Sequence, residues 1–272
     1  MDAQYVDGML MPAADWVYLN GHLIFENPDF LQYVAPFPPE NLMMDTAATS
    51  SKSDFAQHGT HFYISLQNAS PVPLDRYKSI LDFGCGCARL GRMFKGHPGK
   101  VTGCDIDARH VEWINSNLTH MCAVKTEPNE VLPFEDGSFD AVISISVFSH
   151  ITEASHRMYL AELARVTQPG AYLFLTTHGE RAFTRVNEDE GMFRIISTNR
   201  DDLLPVAASM EAGRYTFIKQ VAGHPTESDY DYGITFIPSS YIRAVWSEYF
   251  EIVDIVSGAI HDWQDIVVCR RR

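Results

Sequence analysis

From residue 79 onward, short apolar runs alternate along the chain with stretches of helical character. The apolar runs predict five strands, at Ser79–Phe83, Lys100–Ile106, Ala123–Glu127, Phe139–Val147 and Ala171–Thr177. Helices are predicted between them, at Arg89–Lys95, Ala108–His120 and Glu153–Val166. This alternation is typical of βαβ units and predicts an α/β fold with a doubly wound, mostly parallel sheet covered on both faces.

The end of the chain follows a different pattern. Residues 239–249 predict a helix, and two apolar runs follow it at Phe250–Ser257 and Asp265–Arg270. The few residues between these runs are too short for a helical crossover, which needs a dozen or more residues. The last two strands are therefore predicted to form a hairpin, which completes a seven-stranded sheet with an antiparallel last strand.

Two regions lie outside the alternation. Residues 1–78 are rich in proline and aromatic residues and predict a helical N-terminal extension or lid. Residues 180–238 interrupt the pattern after the fifth strand, and a long insertion of this kind is usually functional or disordered. Its aromatic and apolar content favours an ordered cap for substrate, inserted into a domain that spans residues 79–272.

The charge of the chain disfavours nucleic acids as partners, with a local basic patch as the alternative. Lysine and arginine total 21 against 35 acidic residues, so the net charge is −14. A protein that binds a nucleic-acid backbone needs a basic face to displace counterions. No apolar run is long enough to span a bilayer, and the N-terminus lacks the pattern of a secretory signal. We therefore expect a cytoplasmic protein with no nucleic-acid or membrane partner.

The stretch "SILDFGCGCARLGR" begins at residue 79 and supports two interpretations. Its cysteines form a C-x-C pair, which suggests metal or redox chemistry. Its glycines follow a buried strand and precede a helix, where they allow a tight turn and close approach to a ligand. The dinucleotide fingerprint is met only in part, because Arg89 stands at its third glycine position.

An acidic residue at the end of the second predicted strand favours the glycine interpretation. Asp105, in "KVTGCDID", stands where a carboxylate accepts hydrogen bonds from both hydroxyls of a ribose. The alternative is that Asp105 only caps the helix that follows it. The cysteines do not match the spacing of a structural zinc site, and five cysteines without an export signal do not indicate a disulfide framework. We expect no metal site.

Four segments together carry a resemblance to a known family. "ILDFGCGCAR", "GCDID", "LPFEDGSFDAVISISVFSHI" and "ELARVTQPGAYLFLTTHG" resemble the successive motifs of class I, Rossmann-like, seven-strand S-adenosylmethionine-dependent methyltransferases. The resemblance covers about residues 55–178 and resumes weakly at the C-terminus, where the hairpin fits the family's antiparallel last strand. The chain departs from the motif D/E-x-G-x-G-x-G at its last glycine, which Ala88 replaces.

The resemblance implies a cofactor, S-adenosyl-L-methionine, and eight residues that bind it: Asp82, Gly84, Cys85, Gly86, Asp105, Ile106, Ser146 and Val147. The first four would order and line the loop around the amino-acid part of the cofactor. The next two would hold the ribose and the adenine, and the last two would line the floor near the sulfonium. A polar group within residues 127–130 would meet the adenine amino group.

The candidate catalytic residues are His150 and His178. Methyl transfer mainly needs positioning of the acceptor, plus a base where the acceptor is protonated. His150 follows the fourth predicted strand and His178 follows the fifth, at the edge where reacting atoms gather, and histidine titrates near neutral pH. The alternative is that either histidine only caps or packs against its neighbours.

The candidate substrate-binding residues are His58, Tyr63, Tyr232 and Tyr241, with Tyr230 beside them. The first two precede the first strand, where the family often covers the cofactor. The tyrosines after residue 229 would line an aromatic pocket, although packing of the insertion on the sheet explains them equally well.

The chain is therefore expected to transfer a methyl group to an oxygen or nitrogen nucleophile of a small molecule, with secondary metabolism as the expected setting. The alternatives are a non-methylating reaction on the same fold such as a cyclisation, methylation of a protein or glycan, and a non-catalytic binding module. The partner is expected to be a small-molecule acceptor, and the oligomeric state is not indicated.

Overall fold

The computed structural model describes residues 3–6, 9–21, 33–220 and 231–272. Its strands are β1 (Ala3–Val6), β2 (Met9–Pro12), β3 (Ser79–Phe83), β4 (Lys100–Asp105), β5 (Met121–Lys125), β6 (Phe139–Ser144), β7 (Thr167–Thr177), β8 (Thr216–Lys219), β9 (Gly233–Phe236), β10 (Phe250–Ile260) and β11 (Gln264–Arg271). Its α-helices are α1 (Ala13–Gly21), α2 (Glu40–Ala47), α3 (Lys52–Ala69), α4 (Ala108–Asn117), α5 (Glu153–Val166), α6 (Glu180–Glu188), α7 (Glu190–Ile195), α8 (Arg200–Glu211) and α9 (Ser239–Val245).

Seven of the strands form one sheet in the order β10-β11-β7-β6-β3-β4-β5. β4 runs parallel to both β3 and β5. β11 runs antiparallel to both of its neighbours, β7 and β10. The α/β fold and the antiparallel last strand predicted from the sequence are therefore confirmed. The short link between the last two strands explains the hairpin, since it leaves no room for a crossover helix.

The structure differs from the predicted pattern after β3 and at the end of β6. The helix predicted at Arg89–Lys95 is instead a turn followed by a 3₁₀ helix at Gly91–Phe94. The strand predicted to reach Val147 ends at Ser144. Ser146 has a left-handed φ of 62°, which no β-strand continues through. Both differences lie in the backbone segment that follows a strand. The conformation of such a segment cannot be predicted from the periodicity of apolar residues.

The chain divides into two compact units, a first unit of residues 1–127 with 139–141 and a second unit of residues 128–138 with 142–272. In the first unit, Leu42, Met43 and Phe55 of the N-terminal helices form a buried cluster with Cys87. In the second unit, buried side chains between residues 182 and 236 form a separate hydrophobic cluster, which includes Val206 and Phe236. The separate extension and inserted cap remain predictions, and parts of both lie outside the described residues.

In the part of the chain that the structure describes, no helix combines the length and the apolar character needed to cross a bilayer.

Candidate functional site

The glycine loop after β3 makes the turn that its sequence predicts. Gly84 and Gly86 have left-handed φ values of 74° and 53°. The N–H groups of Gly84 and Cys85 donate to the carbonyl of Cys104 on β4, at 2.9 and 3.0 Å. Ala88 also has a left-handed φ, 63°. Alanine thus keeps the backbone conformation that glycine adopts easily, at a cost of roughly 1–2 kcal/mol.

The carboxylate of Asp105 joins the end of β4 to the glycine loop. Its Oδ2 accepts a hydrogen bond from the Gly86 N–H at 2.8 Å, and its Oδ1 accepts one from the Asp107 N–H at 2.9 Å. The helix cap considered for Asp105 belongs to Asp107, whose carboxylate accepts from the Arg109 N–H at the start of α4. Asp105 is therefore available for a ligand at the strand end, as the ribose hypothesis requires.

Asp82 lies beneath the loop in an environment that disfavours its charge. Its side chain is buried, and its Oδ2 has no hydrogen-bond partner among the described residues. Burial, and after it the negative charge of Asp105, raises the pKa of Asp82 to about 7. An acid in this state gains from any ligand that brings a donor or a positive charge to it.

The two loop cysteines are buried thiols. Burial raises the pKa of Cys85 well above its ordinary value and that of Cys87 to about 11. A thiolate is the reactive and metal-binding form of cysteine, so both environments oppose that chemistry. The Cys85 sulfur lies only 2.7 Å from where a Cβ on Gly103 would stand, so Cys85 is a small side chain packed against β4.

A helix of the N-terminal region lies on the glycine loop within the first unit. Thr46 of α2 accepts a hydrogen bond from the Cys87 N–H at 3.2 Å, and the Cys87 Sγ donates to the carbonyl of Leu42 at 3.3 Å. A Cβ on Gly86 would meet the Thr46 Cγ2 at 2.6 Å. Nothing in the local sequence around Thr46 signals this contact.

A second residue that sequence reasoning missed lies beside Asp105. His110 of α4 is buried, and its Nδ1 lies 3.6 Å from the Asp105 Oδ1. Asp45, Asp107 and His110 bring one ligand atom each within 4.8 Å of one another. Arg109 already pairs with the carboxylate of Asp45 at 2.9 Å and with that of Asp107. The position of His110 in the first turn of α4, five residues after Asp105 at the end of β4, was the available signal.

Ser146 and Val147 follow β6 in the second unit. The Ser146 N–H donates to the Thr176 Oγ1 at 2.8 Å, and the Gln264 Nε2 donates to the Ser146 Oγ, also at 2.8 Å. These bonds hold the left-handed backbone of Ser146 in place. Val147 is half-buried, and its carbonyl accepts from the His150 N–H.

The two candidate bases lie close together within the second unit. The His150 Nδ1 lies 2.7 Å from the carbonyl oxygen of Gly233 and therefore carries the proton, which leaves the lone pair on Nε2. The His150 ring stacks on Tyr232 with centroids 4.8 Å apart. The His178 ring meets His150 edge-on at 5.8 Å.

His178 is the more deeply buried of the two. Its side chain is 1% exposed, and it packs against Trp263 with centroids 4.8 Å apart. Burial, and after it the nearby His150, lowers the pKa of His178 well below its ordinary value. The imidazole is therefore neutral at physiological pH.

The remaining predicted residues are separated between the two units. Tyr241 is buried in the second unit, and its Oη donates to the Glu153 Oε1 at 2.6 Å. Tyr63 is buried in the first unit and packs edge-on against Phe94 at 5.6 Å. His58 and Ile106 are half-buried in the same unit, and burial lowers the pKa of His58. Tyr230 lies outside the described residues.

The middle of the chain is similar to a known protein family. A family profile described as "Methyltransferase domain" matches residues 80–170. The range begins within β3 and ends within β7, so it includes the glycine loop, Asp105 and His150.

Two curated relatives match over similar stretches. The chain is 33% identical over 159 residues to "Probable tRNA methyltransferase 9B" of Bos taurus, which covers 56% of this chain and 32% of that protein. It is 34% identical over 150 residues to "Phthiotriol/phenolphthiotriol dimycocerosates methyltransferase 1" of Mycobacterium ulcerans, which covers 51% and 49%. The chain thus matches less than half the length of either relative.

A solved structure shares the fold over most of the chain. The PH0226 protein from Pyrococcus horikoshii OT3 aligns with a TM-score of 0.59 at 14% identity, covering 85% of this chain and 96% of that one. At this identity the likeness establishes the architecture alone.

Proposed function

We propose that this chain, whose residues 80–170 form a methyltransferase domain of the class I, S-adenosylmethionine-dependent type, transfers a methyl group to an oxygen or nitrogen nucleophile of a small molecule. The observation that carries the proposal is the bond between the Gly86 N–H and the Asp105 carboxylate. This bond sets a glycine turn and a strand-end acid side by side, which is the arrangement that a nucleoside with an attached charged group requires.

The residues of the first unit fit S-adenosylmethionine. Asp105 offers the carboxylate for the ribose, and the left-handed backbone of Gly84 and Gly86 allows a ligand close approach to the loop. Asp82 has a buried oxygen without a partner among the described residues, and a cationic ligand would compensate it. Ile106, half-buried next to Asp105, offers an apolar surface for the adenine.

When bound, S-adenosylmethionine supplies an electrophilic methyl group on a sulfonium. What remains for the chain is to orient the acceptor and to take up its proton. His150 suits the second task, because the Gly233 carbonyl holds the proton on its Nδ1 and leaves Nε2 as the basic atom. His178 is the weaker base, because burial disfavours its protonated form.

The small size of the acceptor is supported by the charge of the chain. The two relatives carry names that point in different directions, one to tRNA and one to phthiotriol and phenolphthiotriol dimycocerosates. A net charge of −14 repels a nucleic-acid backbone and is neutral toward a compact uncharged acceptor. Charge therefore favours a compact uncharged acceptor over a nucleic acid.

The first test measures cofactor binding by thermal shift and calorimetry. S-adenosylmethionine should raise the melting temperature of the wild-type protein, since a ligand that binds only the native state stabilises it. Asp105→Ala should weaken binding by roughly 10-fold or more, because it removes the hydrogen bonds of a charged acceptor. A wild-type melting temperature that stays constant at saturating cofactor would refute the proposal.

The second test concerns His150. His150→Ala should lower the rate of methyl transfer about 100-fold or more while leaving the cofactor affinity nearly unchanged. His261→Asn, an exposed histidine at the β10–β11 turn, is the control and should leave both unchanged. A full rate in His150→Ala would remove the base assignment. Release of S-adenosylhomocysteine in step with methylated product distinguishes methyl transfer from a non-methylating reaction.

A further inference from the structure

His110 is a buried histidine whose ring nitrogens make no hydrogen bond among the described residues. Its side chain is 2% exposed. A buried polar group without a partner costs roughly 1–3 kcal/mol. Such groups in native proteins call for an explanation, of which a ligand-dependent bond is one.

The surroundings of His110 contain three carboxylates and one guanidinium. Asp105 lies nearest, with its Oδ1 3.6 Å from the His110 Nδ1. Asp107 and Asp45 follow, and the Arg109 guanidinium pairs with both of them. The positive charge that a divalent cation would bring to these two acids is therefore already supplied by Arg109. Asp105, whose carboxylate does not pair with Arg109 in this way, is therefore the candidate hydrogen-bond acceptor for His110.

Asp105 has room for two more donors, one on each oxygen. An ionised carboxylate offers about four acceptor positions, and two backbone N–H groups use one on each oxygen. The His110 Nδ1 is about half an ångström beyond hydrogen-bond range of the Oδ1. Closing this gap would place the His110 Nδ1–H on the open acceptor position of the Oδ1.

We propose that His110 is a positioning residue for the adenosyl group, whose Nδ1–H bonds the Asp105 Oδ1 when a ribose hydroxyl engages the Asp105 Oδ2. The inference rests on the proposed function, because it takes Asp105 as the ribose ligand. His110 then fixes the orientation of the carboxylate in the bound state, and the cost of its unpaired ring in the free protein is removed by ligand binding.

The test measures S-adenosylhomocysteine binding by calorimetry in two variants. The side-chain amide of asparagine places a donor near the position of the histidine Nδ1, so His110→Asn should bind within about threefold of the wild type. His110→Leu removes the donor and should bind about tenfold more weakly, the loss of a bond to a charged acceptor. The melting temperature of ligand-free His110→Leu should be no lower than that of the wild type, since leucine leaves no buried polar atom unpaired.

A double-mutant cycle with Asp105→Asn tests whether His110 acts through Asp105. In that background the leucine substitution should cost less than threefold. Equal binding by wild type and His110→Leu, equal losses in the asparagine and leucine variants, or an undiminished loss beside Asp105→Asn would each overturn the inference. If Asp105→Asn abolishes binding, the inference is decided by the affinities of His110→Asn and His110→Leu for S-adenosylhomocysteine: equal affinities overturn it, and weaker binding by the leucine variant supports it.

Two outcomes separate the alternatives. A wild-type protein that binds no S-adenosylhomocysteine refutes the proposed function itself, whatever the variants do. Stabilisation of the ligand-free wild type, but not of His110→Leu, by magnesium or zinc chloride alone would assign His110 to a cation site and overturn the positioning role.

Discussion

At the residue scale, the chemistry of Asp82 depends on its burial rather than on its place in the sequence. A carboxyl on the surface has a pKa near 3.8, whereas burial raises the pKa of Asp82 to about 7. The Arg89 guanidinium acts in the opposite direction and is a smaller influence than burial and Asp105. The acid beneath the loop therefore exchanges a proton close to physiological pH, where ligand charge shifts the balance most easily.

Asp82→Asn should remove part of the pH dependence of stability. The native pKa lies above the unfolded one, so the native state binds more protons between about pH 4 and 7, and stability falls as pH rises through that window. Relative to the variant, the wild-type free energy of unfolding should drop by up to about 4 kcal/mol between pH 4 and pH 8. Urea unfolding at several pH values measures it.

The exposed acid Asp201 gives the control for this comparison, since Asp201→Asn should track the wild type at every pH. Unfolding curves of wild type and Asp82→Asn that keep a constant separation from pH 4 to pH 8 would contradict the raised pKa.

At the scale of elements, α2 and the glycine loop are fitted to one another. Thr46 both accepts the Cys87 N–H and occupies the space where a Cβ on Gly86 would stand. The left-handed φ of 53° at Gly86 adds a second reason for glycine there. An N-terminal helix and the loop after β3 thus constrain each other across about 40 residues of sequence.

Gly86→Ala should destabilise the protein by about 2–4 kcal/mol, through backbone strain and a clash with Thr46. Thr46→Ser keeps the hydroxyl and removes the methyl group, so the double variant Gly86→Ala/Thr46→Ser should recover about half of the loss. Chemical denaturation of the four proteins measures both effects.

Gly137→Ala separates strain from clash. Gly137 has a similar φ, 63°, but a Cβ there would meet its nearest neighbour only at 3.9 Å. It should lose about 1–2 kcal/mol from strain alone. A loss at Gly86 no larger than at Gly137, or no recovery with Thr46→Ser, would show that α2 does not press on the loop.

At the scale of the whole molecule, net charge supports the proposed small-molecule acceptor. With 21 basic and 35 acidic residues, the chain has no general attraction for polyanions. The one dense basic cluster in the sequence is Arg270–Arg272, and Arg271 of this cluster donates its Nε to the carbonyl of Ala164. Both observations favour a compact acceptor over a nucleic acid.

Labelled tRNA should bind more weakly than about 10⁻⁴ M at physiological salt in a fluorescence anisotropy titration, the weak end of non-specific binding. The reason is that too few cations are available to release counterions from the backbone. Micromolar binding with a steep salt dependence would instead return the tRNA class of acceptor to consideration. Replacing Arg270, Arg271 and Arg272 by alanine would then test whether that cluster is responsible.

The sequence by itself determined the seven strands of the main sheet apart from the end of β6, the hairpin, and the acid at the end of the second strand of that sheet. Apolar runs report burial directly, and the link after β10 is too short for any crossover, so these features follow from local patterns. The place of Asp105 at the end of β4 was also predictable, because in nucleotide-binding βαβ units an acid ends the strand that follows the glycine turn.

Only the tertiary structure decided the rest. Thr46 meets the glycine loop from a distant part of the chain, and the left-handed backbones of Ala88 and Ser146 are held by the contacts around them. Whether Asp82 is protonated, and whether His110 has a partner, depends on which atoms surround a buried side chain. Local sequence patterns predict which residues are buried and where the chain turns. The protonation state and the hydrogen-bond partners of a buried side chain depend on atoms that only folding brings together.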